Sequence, residues 1–124
     1  MDQLKRYSLV YLATPYTKYP TGIDMAFRDA AVLAAKMVVA GVRVYSPIVY
    51  THQLAIHGGP DPLSHAVWLP FDAPFMDRSE ALVIAKMDSW ETSFGIAEET
   101  RIFRAAQKQI YEICPVTLAV TVRP

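Results

Sequence analysis

The sequence has a single cysteine, Cys114, so no internal disulfide can form, and a reducing, cytoplasmic setting is expected. Charge of one sign is missing: 12 Lys and Arg balance 12 Asp and Glu, and no basic run occurs. That speaks against nucleic acid and membrane surfaces as partners, because both need clustered cations. No apolar run is long enough to span a bilayer, and the one in "MDQLKRYSLVYLATPY" is too short for a signal peptide. The loop "TPYTKYPTG" lacks the glycine spacing of a dinucleotide fingerprint or a P-loop, and no nucleophile-elbow pattern appears. His52, His57 and His65 give no helical pair of metal ligands, and no Cys or carboxylate cluster surrounds them, so no metal is expected.

What is present is apolar substance. With 52% apolar and 19% charged residues in a chain of 124, disorder is excluded and one domain, residues 1–124, is expected. "YSLVYLA" (Tyr7 to Ala13) reads as a strand buried on both faces. Ile23 to Ala40 follows as a helix whose stripe is Phe27, Ala30, Ala31, Ala34, Met37 and Val38, closed by Gly41. "VRVYS" then completes a right-handed βαβ unit. Between Pro47 and Ser79 one or two short helices are expected, around Val49 to Ile56 and ending near Met76. "GGPDP" is a break, and Pro70 and Pro74 interrupt any long helix. "EALVIA" is a third strand, Ser93 to Lys108 a helix, and "QIYEI" and "TLAVTV" two last strands. The alternation predicts an α/β fold: a three-layer α/β/α sandwich around a mostly parallel five-stranded sheet, flavodoxin- or Rossmann-like. In such sheets ligands bind beyond the carboxyl ends of the strands, here the loops starting at Ala13, Ser46 and Ala85.

Two adjacent glutamates stand near the start of the Ser93 helix. On a helical wheel Gly95, Ile96, Ile102, Phe103 and Ala106 all fall within about 60° of Glu99. Glu98 lies about a right angle away, where Arg101 or solvent serves it, as an ordinary first-turn charge would be. Glu99 is thus a carboxylate on an apolar face, which is costly unless it is paired or lines a cleft. It is either a satisfied structural carboxylate or a site residue, and the second reading is preferred. Ser93 as N-cap, Gly95 without a side chain and Glu99 form S-x-G-x-x-x-E, suited to an anionic or hydroxyl-rich ligand beside a carboxylate.

These residues resemble the nucleoside 2-deoxyribosyltransferase-like superfamily, which includes deoxynucleoside 5′-monophosphate N-glycosidases. "VYLATPY", "WLPFDAPFMDRSEALVIA" and "SFGIAEE" carry the resemblance in that order, over roughly Tyr7 to Tyr111. "SPIVYTH" and "DSWETSFGIAEE" are similar to a small bacterial and phage branch of unknown function. The resemblance implies that Glu99 is the nucleophile attacking C1′ of the sugar, and that Tyr11 positions nucleophile or sugar. It further implies Asp72 as acid or base near the departing base, with Asp77 the competing candidate, and Ser93 as the holder of a 5′-phosphate. It implies no cofactor, a nucleoside or nucleotide as small-molecule partner, and a homo-oligomer, with a dimer expected. Two positions depart from the branch: Ser89 stands where glycine is frequent, and Phe103 where a small residue is usual.

Around that core, Pro15 and Tyr16 of the first loop and Trp90 before Ser93 are candidate ligand contacts, Trp90 by stacking. Core packing or a dimer contact is the competing role for Trp68, Trp90, Tyr16 and Tyr19. His52 either lines the cleft or makes a structural hydrogen bond. Two functions follow: an enzyme cleaving or transferring an N-glycosidic bond through Glu99, or a non-catalytic nucleotide-binding module on the same fold.

Overall fold

Every residue of Val10–Ala13 (β1) and of Ala81–Ala85 (β3) is buried. These strands lie side by side at the centre of the sheet in the computed structural model, which describes residues 1–124. Val44–Tyr45 (β2) flanks β1 and Gln109–Ile113 (β4) flanks β3, all parallel, while Val120–Val122 (β5) runs antiparallel beside β4. The order is β2-β1-β3-β4-β5. Ile23–Val39 (α1), Pro47–Gly58 (α2), His65–Arg78 (α3) and Phe94–Ala105 (α4) supply the helices, completing the mixed α/β architecture expected. No helix is long and apolar enough to cross a membrane.

The two-residue period of a strand sorts the core into two clusters. Val10, Leu12, Ala81, Val83 and Ala85 face Leu33 and Met37 of α1. Tyr11, Ala13, Leu82 and Ile84 face the other way, against Met76 of α3 and Ile96 and Phe103 of α4. Each large apolar side chain buried here contributes roughly 1.5–3 kcal/mol. The chain leaves β1 for β2 and then returns past β1 to form β3. The crevice between the carboxyl ends of β1 and β3 is therefore a topological switch point, the place where sheets of this order take ligands.

Two local expectations need correction. The buried face of α1 is Ala26, Ala30, Leu33 and Met37, while Val38 is 59% exposed and Phe27 only half-buried. The stripe is displaced by one residue, because α1 is apolar around so much of its circumference that periodicity alone leaves its phase open. Its end behaves as expected, Gly41 at φ +93° letting Val42 N–H reach the Met37 carbonyl. The second correction is α3, which runs unbroken through Pro70 and Pro74. The carbonyls these prolines leave without a donor, at Ala66 and Pro70, belong to exposed residues, so water can satisfy them.

Candidate functional site

A cavity of about 290 Å³ opens at the switch point. Its walls come from the loop after β1 (Thr14, Tyr16, Lys18), the start of α2 (Pro47, Ile48, Thr51), one side of α3 (His65, Trp68, Asp72) and the first turns of α4 (Ser93, Gly95, Glu99). Sequence-distant loops meet here because β1 and β3 are parallel neighbours and deliver their carboxyl ends to the same edge.

Glu99 reaches the cavity from α4 and is only 8% exposed; Asp72 reaches it from α3 at 9%. Burial pushes the Glu99 carboxyl up to about 8, the neighbouring charge of Asp72 adding to the shift and the Tyr11 hydroxyl opposing it. Burial likewise pushes Asp72 up to about 7, and its Oδ1 has no hydrogen-bond partner. Tyr11 lies in the core next to Glu99, its ring tilted against Phe103 at 5.6 Å and Tyr45 at 5.9 Å. Its hydroxyl is near enough to Glu99 for each to affect the other's ionisation, yet it completes no hydrogen bond of full geometry. Burial, reinforced by the charges of Glu99 and Asp72, holds the Tyr11 phenol far above its usual range and therefore protonated.

More polar atoms are left waiting. The hydroxyls of Thr14, Tyr45 and Ser46 are buried without partners, like that of Tyr11. Thr14, Tyr45 and Ser46 lie at or just beyond the carboxyl ends of β1 and β2, whereas Tyr11 is the second residue of β1. A buried hydroxyl without a partner costs about 1–3 kcal/mol, and that of Thr14, in the cavity wall, is an unmet demand for a polar ligand atom or water. The rule that ligands bind at strand carboxyl ends points to Thr14, Tyr45 and Ser46, although their residue types alone do not single them out.

Ser93 caps α4 as its sequence position predicts, its hydroxyl accepting from Ile96 N–H at 3.2 Å. The Phe94 and Gly95 N–H groups at the helix start remain available to an anion. A Cβ added at Gly95 would meet only the Ser93 hydroxyl, at 3.9 Å, so nothing in the protein demands glycine there. Its bare Cα instead widens the cavity. Lys18, the one basic residue with a permanent charge in the wall, donates to the Thr92 carbonyl at 3.2 Å.

Three other candidates fall elsewhere. Trp90 is not in the cavity wall: its ring lies with Ile96, Ala97, Thr100 and Arg123, whose guanidinium is 5.9 Å from the ring centre. Stacking on a ligand is therefore replaced by packing on the flank of α4. His52 stands behind the wall, buried, with Nδ1 2.5 Å from the Tyr16 hydroxyl, so it supports Tyr16 instead of meeting a ligand. Pro15 is buried between two wall residues and shapes the loop. Of the two aspartates, Asp72 lines the cavity, whereas Asp77 is exposed and its carbonyl accepts from Lys108. Glu98 pairs with Arg101 at 2.9 Å, the surface role expected of it. Nowhere do three His, Cys, Asp or Glu side chains converge to hold a metal ion.

Residues 8–114 match the family described as a domain of unknown function, DUF1937, a span that contains every wall residue of the cavity. The chain belongs to the DUF1937 family. No curated protein matches it. Family membership brings no activity with it, so the chemistry rests on the site. Ser89 adopts φ +69°, the left-handed region that glycine occupies without strain, in the loop leading to the α4 cap.

Proposed function

We propose that the protein cleaves or transfers the N-glycosidic bond of a nucleoside or a deoxynucleoside 5′-monophosphate, with Glu99 as nucleophile. The observation that carries the reading is the pair of buried carboxyls, Glu99 and Asp72, opening on one cavity from different helices. Both are pushed toward neutrality by burial, so the pair keeps a proton where an exposed pair would have lost both. One group then serves as acid while the other is anionic, the division that glycosidic chemistry requires. Burial raises Glu99 the more strongly of the two, so the shared proton rests there in the free site. The Tyr11 hydroxyl is the neighbour that favours the Glu99 anion, which supports the nucleophile role once the proton passes to Asp72.

In the first step a Glu99 carboxylate oxygen bonds to C1′ as the C1′–N bond breaks, and the Asp72 proton passes to the departing base. The Glu99 carboxylate in the cavity wall stabilises the developing oxocarbenium charge. In the second step water or another base attacks C1′, the ester to Glu99 breaks, and Asp72 takes the attacker's proton. The orphaned Thr14 hydroxyl in the wall is suited to a sugar or base polar atom, and the α4 N-terminus to a 5′-phosphate. The cavity is at the lower end of the roughly 300–1,000 Å³ typical of small-molecule sites, which suits one nucleoside and not a polymer.

Self-association belongs to the same reading, since Val32, Val38 and Val39 leave α1 54%, 59% and 89% exposed at those positions. A monomeric mass at micromolar concentration removes that part.

The test is release of free base from ribo- and deoxyribonucleosides and their 5′-monophosphates, with and without an acceptor base, in wild type and Glu99→Gln. Release by wild type alone is expected. No release from any of them, with saturable binding intact, would leave a binding module.

A further inference from the structure

Tyr16, His52 and Asp24 stand in a row that runs from the cavity wall to solvent. The Tyr16 hydroxyl lies 2.5 Å from Nδ1 of His52. On the other side of the ring, Nε2 lies 3.1 Å from Oδ1 of Asp24, whose side chain is 79% exposed. Phe27 stacks on the imidazole at 4.5 Å with planes 19° apart, and His52 is 5% exposed, so the ring is held in this orientation.

The hydrogens follow from the partners. An ionised carboxylate can only accept, so a neutral imidazole beside Asp24 carries its proton on Nε2 and turns the Nδ1 lone pair toward Tyr16. The Tyr16 O–H then points inward to Nδ1, and the face of its oxygen left to the cavity has lone pairs only. Burial and the charge of Asp24 push the phenol up to about 12, which keeps that proton in place.

We infer that Asp24 and His52 are positioning residues that fix Tyr16 as a hydrogen-bond acceptor for a hydroxyl or N–H group of the ligand. This rests on the glycosidase reading only for the ligand's identity, a nucleoside whose sugar hydroxyls and base N–H groups are such donors. Exchanging the anion for a cation reverses the row. In Asp24→Lys the ammonium donates to Nε2, the imidazole proton moves to Nδ1, and the Tyr16 hydroxyl is released to point into the cavity.

The first experiment reads the His52 ring by ¹⁵N NMR at pH 8, above the ordinary imidazole pKa of about 6.5. The Nε2–H tautomer is expected in wild type and Asp24→Glu, and Nδ1–H in Asp24→Lys. Nδ1–H in wild type, or an unchanged tautomer in Asp24→Lys, overturns the inference. The second measures deoxynucleoside binding by calorimetry in the Glu99→Gln background. Tyr16→Phe and Asp24→Lys should each weaken it roughly 5- to 10-fold, the worth of one hydrogen bond, with Asp24→Glu restoring it. Unchanged affinity in Tyr16→Phe overturns the acceptor role. Tautomers as expected without binding of any nucleoside would support the row of residues and reject the glycosidase reading, so the two failures are distinct.

Discussion

Glu99 and Asp72 project into one cavity from two helices, and neither forms an ion pair. Burial governs both ionisations, and for Glu99 the Tyr11 hydroxyl opposes it while the charge of Asp72 adds to it. If Asp72 donates to the departing base, Asp72→Asn should lower turnover by roughly 10²- to 10⁴-fold. The loss should shrink for a nucleoside whose base leaves without protonation. Comparing kcat for a poor and a good leaving group in wild type and variant measures this; equal losses for both would assign the proton elsewhere.

The raised carboxyls also make stability depend on pH. Glu99 moves from 4.5 to about 8 and Asp72 from 3.8 to about 7, so the folded protein binds protons more tightly than the unfolded chain. Their contribution is fully present below about pH 4 and is lost as pH rises toward 8, on the order of a few kcal/mol. Wild type should therefore melt at lower temperature at pH 8 than at pH 5, once other titrations are subtracted by comparison with Asp72→Asn/Glu99→Gln. A scanning calorimeter would show the difference as a flatter pH dependence in the double variant; parallel curves would contradict it.

Tyr11→Phe separates stability from activity. The hydroxyl it removes is buried and lacks a partner, so thermal stability should stay level or rise by up to about 1 kcal/mol. Glu99 loses the one neighbour that favours its anion, so kcat should fall roughly tenfold or more and the acidic limb of the pH profile should move upward. A variant that is destabilised, with its pH profile unmoved, would make Tyr11 a packing residue only.

Gly95→Ala offers the opposite pairing. The added methyl meets only the Ser93 hydroxyl at 3.9 Å, and replacing a helical glycine with alanine stabilises by roughly 0.5–1 kcal/mol. The methyl narrows the cavity beside the α4 N-terminus, so nucleotide affinity should drop while the melting temperature rises. Affinity unchanged in a stabilised variant would show that ligands stay clear of Gly95.

The parts of the fold legible in the sequence are those written in local pattern. Unbroken apolar runs mark β1 and β3, and the strand–helix–strand order sets the parallel sheet. Glu99 stands out because one turn of helix geometry places it among Gly95, Ile96 and Phe103, and it is buried with Ile96 and Phe103. The phase of α1 was not legible, since an alanine-rich helix offers two acceptable faces. Neither was the continuity of α3, which depends on exposed carbonyls that only the packed structure reveals. Which of their two open roles Trp90 and His52 take is not legible for a different reason. A position in a loop near the site does not fix which way a side chain turns, and the His52–Tyr16 contact joins residues 36 apart.

The margins of the sheet carry a last consequence. β2 contributes two residues at one edge and β5 three at the other, and Arg123 beside β5 pairs with Glu112 of β4 at 2.9 Å. Neither border offers a long, flat ladder of free amides and carbonyls, so a foreign strand finds little to template on. The protein is thereby guarded against amyloid-like extension through its sheet's rims.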